Sequence, residues 1–302
     1  MRLPHPIPYQ GSKRNLAGAI LAIVEGRRAR RLFEPFAGSA AITIAAARSN
    51  LADEFVIGDT LAPLVEVWRR ILADPADLAD DYANVWTGQR AVDDRNYYTR
   101  VRDEFNRTGG AGRLLYLLAR CVKNSPRWNR DGAFNQSADK RRLGMHPTKM
   151  RWELAGAHQL LRGRSVAVAC DFESSTADAG PRDLVYLDPP WEGTSGGRDT
   201  RYHQGLRRER LVVALDALNH RGVPWLLSYD GRCGDKTYGS PLPAELKATR
   251  LELAAGRSSQ ATLNGGDAVT VESLYVSASI AVVAPASPRQ IGLWDRREAS
   301  GG

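Results

Sequence analysis

The chain has 302 residues, 43% of them hydrophobic, with 42 Lys or Arg against 34 Asp or Glu, a formal net charge of +8 and a pI near 9.6. That content supports a real core in one large domain or two smaller ones. No run of 18 apolar residues occurs, so no transmembrane helix is expected, and the opening MRLPHPIPYQG has no apolar h-region to read as a signal peptide. Cys121, Cys170 and Cys233 are odd in number and widely spaced, which fits neither a disulfide framework nor a zinc site, so a reducing cytoplasm is the expected compartment.

In chain order, Pro8-Tyr9-Gln10-Gly11-Ser12-Lys13-Arg14-Asn15 precedes an apolar helix over 16–24. Lys13 lies near the start of that helix, where the dipole disfavours a cation, so its placement asks for another reason, such as an anionic ligand group. A solvated surface lysine is the ordinary alternative. Next, a strand over 31–36 runs into Gly38-Ser39-Ala40 and a helix over 40–48. Small residues there let a ligand approach backbone at a helix N-terminus. A second strand, 54–58, ends in Asp59, and an acid about 20 residues after a glycine turn is the usual partner of a ribose hydroxyl pair in nucleotide-binding α/β folds. By itself this also fits a plain strand-to-helix connection. A complete G-x-G-x-x-G is missing, which disfavours a nicotinamide-dependent dehydrogenase.

A helix over 61–73 presents Leu64, Trp68, Ile71 and Leu72 on one face. From about 74 to 160 the alternation breaks into helices over 96–106, 113–122 and 149–161 around a polar hairpin. Between Lys123 and Arg151 stand eight Lys or Arg and two acids, a local charge of +6, interleaved with Trp128, Phe134, His146 and several amides. Basic residues mixed with aromatic and amide side chains suit a surface that tracks phosphates and reads bases, although a bare charge run is more often a solvated loop.

Beyond a strand at 166–170, the run Leu184-Val185-Tyr186-Leu187 reads as a buried strand that opens into Asp188-Pro189-Pro190-Trp191. Each proline fixes its φ and removes a donor, so the loop's carbonyls stay available as acceptors. A carboxylate, fixed carbonyls and a flat ring suit the amino group and face of a planar heterocycle; a proline turn after a strand is the alternative. Arg198, Arg201, Arg207, Arg208 and Arg210 follow and are placed to flank a bound strand, whereas Arg27, Arg28, Arg30 and Arg31 read as a surface cluster without function. A helix over 206–220 and strands over 223–228 and 273–283 complete an α/β sheet covered on both faces. Residues 285–302 read as a flexible tail.

Taken in order, these motifs resemble the Dam-type, D12 class, α-group N6-adenine DNA methyltransferases. Tyr9-Gln10-Gly11-Ser12-Lys13 is similar to that family's W-A-G-G-K-type motif, Phe33-Glu34-Pro35-Phe36-Ala37-Gly38-Ser39 to its E-P-F-x-G-x-G loop, and Asp188-Pro189-Pro190-Trp191 to its D-P-P-Y motif. Tyr97-Tyr98 through Asn106, the segment Arg127-Trp128-Asn129-Arg130-Asp131-Gly132-Ala133-Phe134-Asn135, and Asn264-Gly265-Gly266 with Val271-Glu272-Ser273-Leu274 also have counterparts, so the resemblance spans roughly residues 8–284. Tyr9, Ser39-Ala40 and Trp191 depart from the family's usual residues, and D-P-P-W also occurs in RNA adenine methyltransferases.

The resemblance implies a Rossmann-like α/β methyltransferase fold, with a discontinuous catalytic domain (1–73 and 161–284) and a mainly helical DNA-recognition insert (74–160). It implies S-adenosylmethionine (AdoMet) as cofactor, contacted by Tyr9, Lys13, Phe36, Gly38, Asp59, Asp171, Phe172 and Asp188. The catalytic set would be Asp188, Pro189, Pro190 and Trp191, acting on N6 of an adenine flipped out of the duplex. Lys123, Asn124, Arg127, Trp128, Asn129, Arg130, Asn135, Lys140, Arg141 and Arg142 would meet double-stranded DNA, with Arg127 reading a guanine edge. A monomer without metal or membrane partner is expected. An RNA substrate, or a non-catalytic nucleic-acid-binding protein of the same fold, are the alternatives. The target sequence, and a restriction-modification, housekeeping or phage role, stay open.

Overall fold

The computed structural model describes residues 2–91, 96–190, 206–233, 236–257 and 269–281. Trp191, Arg198, Arg201, the Asn264-Gly265-Gly266 segment and the 285–302 tail lie outside the described residues. A single 3₁₀ turn at Lys13–Asn15 leads into α1 (Ala17–Ala22). Strand and helix then alternate through β1 (Ala29–Glu34), α2 (Ala41–Arg48), β2 (Ala52–Asp59) and α3 (Ala62–Ala73). Helices α4 (Pro75–Ala91), α5 (Tyr97–Thr108), α6 (Ala111–Arg120) and α7 (Pro147–Leu161) intervene before β3 (Ser165–Ala169), the one-turn α8 (Phe172–Ser175) and β4 (Leu184–Leu187). The remaining elements are α9 (Arg208–His220), β5 (Trp225–Cys233), β6 (Lys236–Tyr238), β7 (Thr249–Arg257) and β8 (Val269–Val276).

The strands form one sheet in the order β3-β2-β1-β4-β5-β8-β7, with β6 paired to β5. Strands β1 to β5 pair in parallel, and β8 runs antiparallel to both β5 and β7. This is the Rossmann-like α/β fold expected of the chain. Every residue of β4 is buried, as a central parallel strand with both faces covered requires. Because β2 and β3 continue outward from one side of β1 while β4 and β5 continue from the other, the order reverses between β1 and β4. Open α/β sheets bind ligands in the crevice at such a reversal, beyond the carboxyl ends of the strands.

At the opposite end of that seam, Asp183 fixes the register. Its buried carboxylate accepts from Arg30 Nε at 3.0 Å and Nη2 at 2.8 Å, and from Arg31 Nη2 at 3.0 Å. Burial pushes the Asp183 carboxyl up, but the two guanidiniums outweigh it and hold it down at about 2. Arg30 and Arg31, expected to be a functionless surface cluster, therefore pin β4 against β1 just upstream of the crevice.

Helix α2 is apolar all round, and Ala41 through Ala47 are buried between the sheet and the helices of the 74–160 region. Helix α4 packs on α6 and α7, and α3 packs on the same two helices. One hydrophobic cluster runs without a break from β1, β2 and α2 into α4, α5, α6 and α7. Between α6 and α7 the chain makes a small hairpin, with bridges pairing Cys121 with Ala138 and Trp128 with Phe134.

Five elements depart from the sequence expectation. Helix α4, the one-turn α8 and strands β6 and β7 were not anticipated. The expected strand over 273–283 lies instead at Val269–Val276. It stops at Ser277, whose Oγ stands in for a main-chain acceptor of Trp225 N on β5 at 2.9 Å and shares a hydrogen bond with Ser279 Oγ, while Ile280 N closes a turn on the Ser277 carbonyl.

Candidate active site

Strand β1 ends at Glu34, a buried carboxylate aimed at the start of α2. It accepts from Thr43 N at 2.7 Å and Ile42 N at 3.4 Å, satisfying two of the donors a helix N-terminus leaves free. Burial nonetheless pushes the Glu34 carboxyl up to about 7, against those amides and with help from the Asp188 charge. Between β1 and α2 the backbone turns left-handed twice, at Gly38 (φ 48°) and Ala40 (φ 46°). The Tyr9 ring lies beside Gly38, where an added Cβ would meet it at an ordinary 3.7 Å. Glycine is therefore needed there for its φ rather than for space.

Asp59, at the end of β2, closes this turn. One carboxylate oxygen accepts from Gly38 N and the other from Leu61 N, both at 3.0 Å. Trp68 Nε1 donates to the Gly38 carbonyl at 3.0 Å. The spacing that marks Asp59 as a ligand acceptor thus also has an internal use, although each oxygen keeps a second lone pair. Burial raises the Asp59 carboxyl above the ordinary range.

Strand β4 delivers Asp188 to the neighbouring position. Lys13 Nζ lies 2.8 Å from Asp188 Oδ1 and 3.5 Å from Glu272 Oε2, and it donates to the Gly11 carbonyl at 3.3 Å. The protein's own carboxylates thus stand against Lys13, where the sequence suggests an anionic ligand group. Lys13 is buried, and Asp188 and Glu272 keep only 19% and 15% of their side-chain surface. Burial raises both carboxyls and Lys13 opposes it. Beyond its ion pair, Glu272 Oε2 has no hydrogen-bond partner among the described residues. Sequence reasoning gave Glu272 no role, because its partners lie far away along the chain.

On the other side of the crevice, Phe36 stacks on Phe172, with ring centroids 5.3 Å apart. Asp171 caps α8 through Ser174 N at 2.8 Å and pairs with Arg210 at 2.7 Å. Arg210 also pairs with Glu173 and lies over the Phe172 ring. Of the arginines after the DPPW loop, Arg210 is thus engaged in a local ion-pair set rather than held free to flank a bound strand. Pro189 and Pro190 follow Asp188 at the crevice edge.

These residues can hold a nucleoside-bearing cofactor: an aromatic stack for a base, a glycine turn for close backbone approach, and a buried carboxylate with spare acceptor capacity at the end of β2. The Lys13–Asp188–Glu272 cluster lies at the mouth of the same crevice.

The hairpin presents Lys123, Arg127, Arg130 and Lys140 to solvent, and none of these side chains is ion-paired among the described residues. Asn135 and Arg141 are exposed too. The structure gives four other expected DNA contacts an internal role. Trp128 is 3% exposed and packs edge-on against Phe105 and Phe134, so its ring forms the hairpin's core. Asn129 folds its side-chain oxygen onto Asp131 N and Ala133 N, which shapes the hairpin turn. Asn124 donates to the Leu118 and Ala119 carbonyls at the end of α6, and Arg142 holds Asp139 at 2.8 Å, Asn124 Oδ1 and the Cys121 carbonyl. These four side chains build the hairpin and its root. Asn106 anchors it from α5, donating to the Phe134 carbonyl at 2.9 Å and accepting from Phe134 N at 2.8 Å.

The chain is 29% identical over 219 residues to a DNA N-6-adenine-methyltransferase of Escherichia phage P1, covering 67% of this chain and 27% of that protein. It is 27% identical over 241 residues to the retron Ec67 DNA adenine methylase of Escherichia coli, covering 77% of this chain and 80% of that protein. The chain thus spans about a quarter of the phage relative and most of the retron one. A family model matches residues 9–283, from the Tyr9 motif through the end of the sheet, and the chain belongs to the D12 class N6 adenine-specific DNA methyltransferases.

Proposed function

We propose that this protein transfers the methyl group of AdoMet to N6 of adenine in double-stranded DNA. The observation that carries the reading is the juxtaposition of Asp188 and Lys13, beside the Gly38 turn, at the sheet's order reversal. Bound AdoMet supplies an electrophilic methyl group. Tyr9, Phe36, Gly38, Asp59, Asp171 and Phe172 are the residues that would hold it, with Asp59 accepting from its ribose hydroxyls.

An adenine inside a duplex hides N6 in the stack, so the base must leave the helix at a cost of a few kcal/mol. Trp191 is proposed to stack on the extruded base. Asp188 and the Pro189 carbonyl accept from the N6 amino group, which draws the nitrogen lone pair out of conjugation and aims it at the methyl group. Such catalysis is positioning plus electrostatics. The exposed cations of the hairpin suit a phosphate backbone.

Mapping N6-methyladenine in DNA from cells that express the chain tests this. One short motif modified at nearly every occurrence is expected, and Asp188→Ala should stay folded and bind DNA while methylation is lost. Unmodified DNA despite folded protein, with methyl transfer to single-stranded RNA instead, would overturn the DNA reading. Near-normal methylation by Asp188→Ala would overturn the role of the DPPW loop.

A further inference from the structure

Lys13 brings one positive charge to a pocket that also holds two buried carboxylates. Asp188 takes the short contact, 2.8 Å, and Glu272 the longer one, 3.5 Å, from the antiparallel β8, the next strand but one from β4. A lysine paired with Asp188 alone would neutralise it, and a neutral pair is a poor acceptor for an amino group that becomes positive as it is alkylated. With Glu272 present and ionised, the three groups carry a net charge of −1. Among the described residues Glu272 has no other ion pair, and its neighbours across the sheet are Gly231 and Leu253. Arg232 pairs with Glu252, and Arg250 pairs with Asp230 and donates to Ser273 Oγ. The Tyr186 hydroxyl shares a hydrogen bond with Ser228 Oγ, and Glu34 is occupied at the start of α2. An anion buried with an oxygen that lacks a hydrogen bond is costly to keep unless it has a use.

We propose that Glu272 is a positioning residue for methyl transfer: it shares the ammonium of Lys13 with Asp188, so that Asp188 keeps negative charge for the incoming amino group. This rests on the methyl-transfer reading of the same site. Glu272 touches neither substrate nor methyl donor in this scheme and acts only through Lys13. Burial raises both carboxyls and Lys13 lowers both, while the Asp188 charge further raises Glu272.

The test uses the full chain with Glu272→Gln, which keeps the shape and removes the charge. In pre-steady-state single turnovers on duplex DNA, the rate should fall about ten-fold or more, while KM for AdoMet and for DNA changes less than about three-fold. Carboxyl carbon NMR of the cofactor-free protein, with Asp188→Asn to assign the signal, should show the Asp188 titration midpoint moving down by about one unit in Glu272→Gln. Glu272→Asp should recover part of both effects. A Glu272→Gln rate within two-fold of wild type, or an unmoved Asp188 midpoint, overturns the proposal. Should Glu272→Gln fail to fold, the wild-type titration decides: coupled carboxyls move in two steps each, and independent single steps overturn the sharing. A wild-type protein that methylates nothing, with coupled titrations intact, would instead count against the methyl-transfer reading and leave the charge-sharing itself supported.

Discussion

The main-chain amide of Gln10 donates to the carbonyl of Asn124 across 2.9 Å, joining the segment that carries Lys13 to the root of the basic hairpin. Asn124 and Lys123 before it are both left-handed, at φ 51° and 57°, although neither is glycine. Asparagine tolerates that conformation better than most residues, and here its side chain also ties down the end of α6. Asp188, through its ion pair with Lys13, and the basic hairpin are therefore linked through a short backbone joint.

That joint can be tested by substitution. Asn124→Ala loses two carbonyl contacts and keeps the unfavourable φ, so it should lower unfolding free energy by about 1–3 kcal/mol. Asn124→Gly loses the same contacts but relaxes the backbone, and it should recover about 1 kcal/mol of that loss. Urea denaturation of both variants measures the difference. Equal losses would show that the left-handed turn stores no strain.

Asp59 serves the Gly38 turn and, in the proposed function, the cofactor. Asp59→Ala removes a charged acceptor for ribose hydroxyls and should weaken AdoMet binding by about 1.5–3 kcal/mol. It also strands the Gly38 and Leu61 amides, so thermal stability should fall alongside. Calorimetric affinity equal to wild type would remove Asp59 from the cofactor site and leave it a loop-closing residue.

The strands that carry the crevice were legible because each ends in a chemically unusual loop: Glu34-Pro35-Phe36 after β1, Asp59 after β2, Asp188-Pro189-Pro190 after β4. Other parts left weaker traces. Helix α4 has Leu78, Tyr82 and Trp86 at helical spacing and buries all three, but most of its other positions are acidic, amide or small, which hides the stripe. Strand β7, TRLELAAGR, loses strand character in its Ala-Ala-Gly segment. Trp128 reads from the sequence as a DNA contact because aromatics among basic residues suit a base-reading surface, yet its ring packs on Phe105 and Phe134 as the hairpin's core. Glu272 was invisible for a different reason: its meaning depends on Lys13, 259 positions earlier, and no local pattern encodes that meeting.

Glu34 gives the site a pH-dependent stability. Its carboxyl is raised to about 7 in the folded protein from an ordinary value near 4.5, with burial the leading cause. The folded state therefore holds this proton more tightly than the unfolded chain. The stabilisation is full below about pH 4.5 and is lost as pH climbs through about 7, a change of about 3 kcal/mol at most. Glu34→Gln cannot ionise and should flatten that slope, whatever its effect on absolute stability. Urea midpoints collected from pH 4.5 to 8 measure it, and parallel curves for the two proteins would show that Glu34 is not the group responsible.

Arg127 and the pair Lys140–Arg141 separate reading from positioning. Arg127 is exposed, and the strand that carries it is held in register: Asn135 N donates to its carbonyl at 2.9 Å, and the neighbouring Trp128 is locked into the hairpin core. A guanidinium on a rigid strand suits a bidentate contact to a guanine edge, worth about 1–3 kcal/mol of discrimination. Arg141 is 86% exposed, with its one described ion pair, to Asp139, stretched to 4.0 Å, and Lys140 beside it is exposed as well. Such cations suit phosphates. Arg142 is excluded from the pair because it braces Asp139 and Asn124. Arg127→Ala should therefore relax site choice, raising methylation of near-cognate sites relative to the cognate one. Lys140→Ala with Arg141→Ala should weaken binding to every duplex about equally and flatten the slope of log affinity against log salt by about two units. Binding and methylation assays on a cognate duplex and its single-base variants, at several salt concentrations, distinguish the two. Equal losses on cognate and near-cognate DNA for Arg127→Ala would assign it to the phosphate backbone instead.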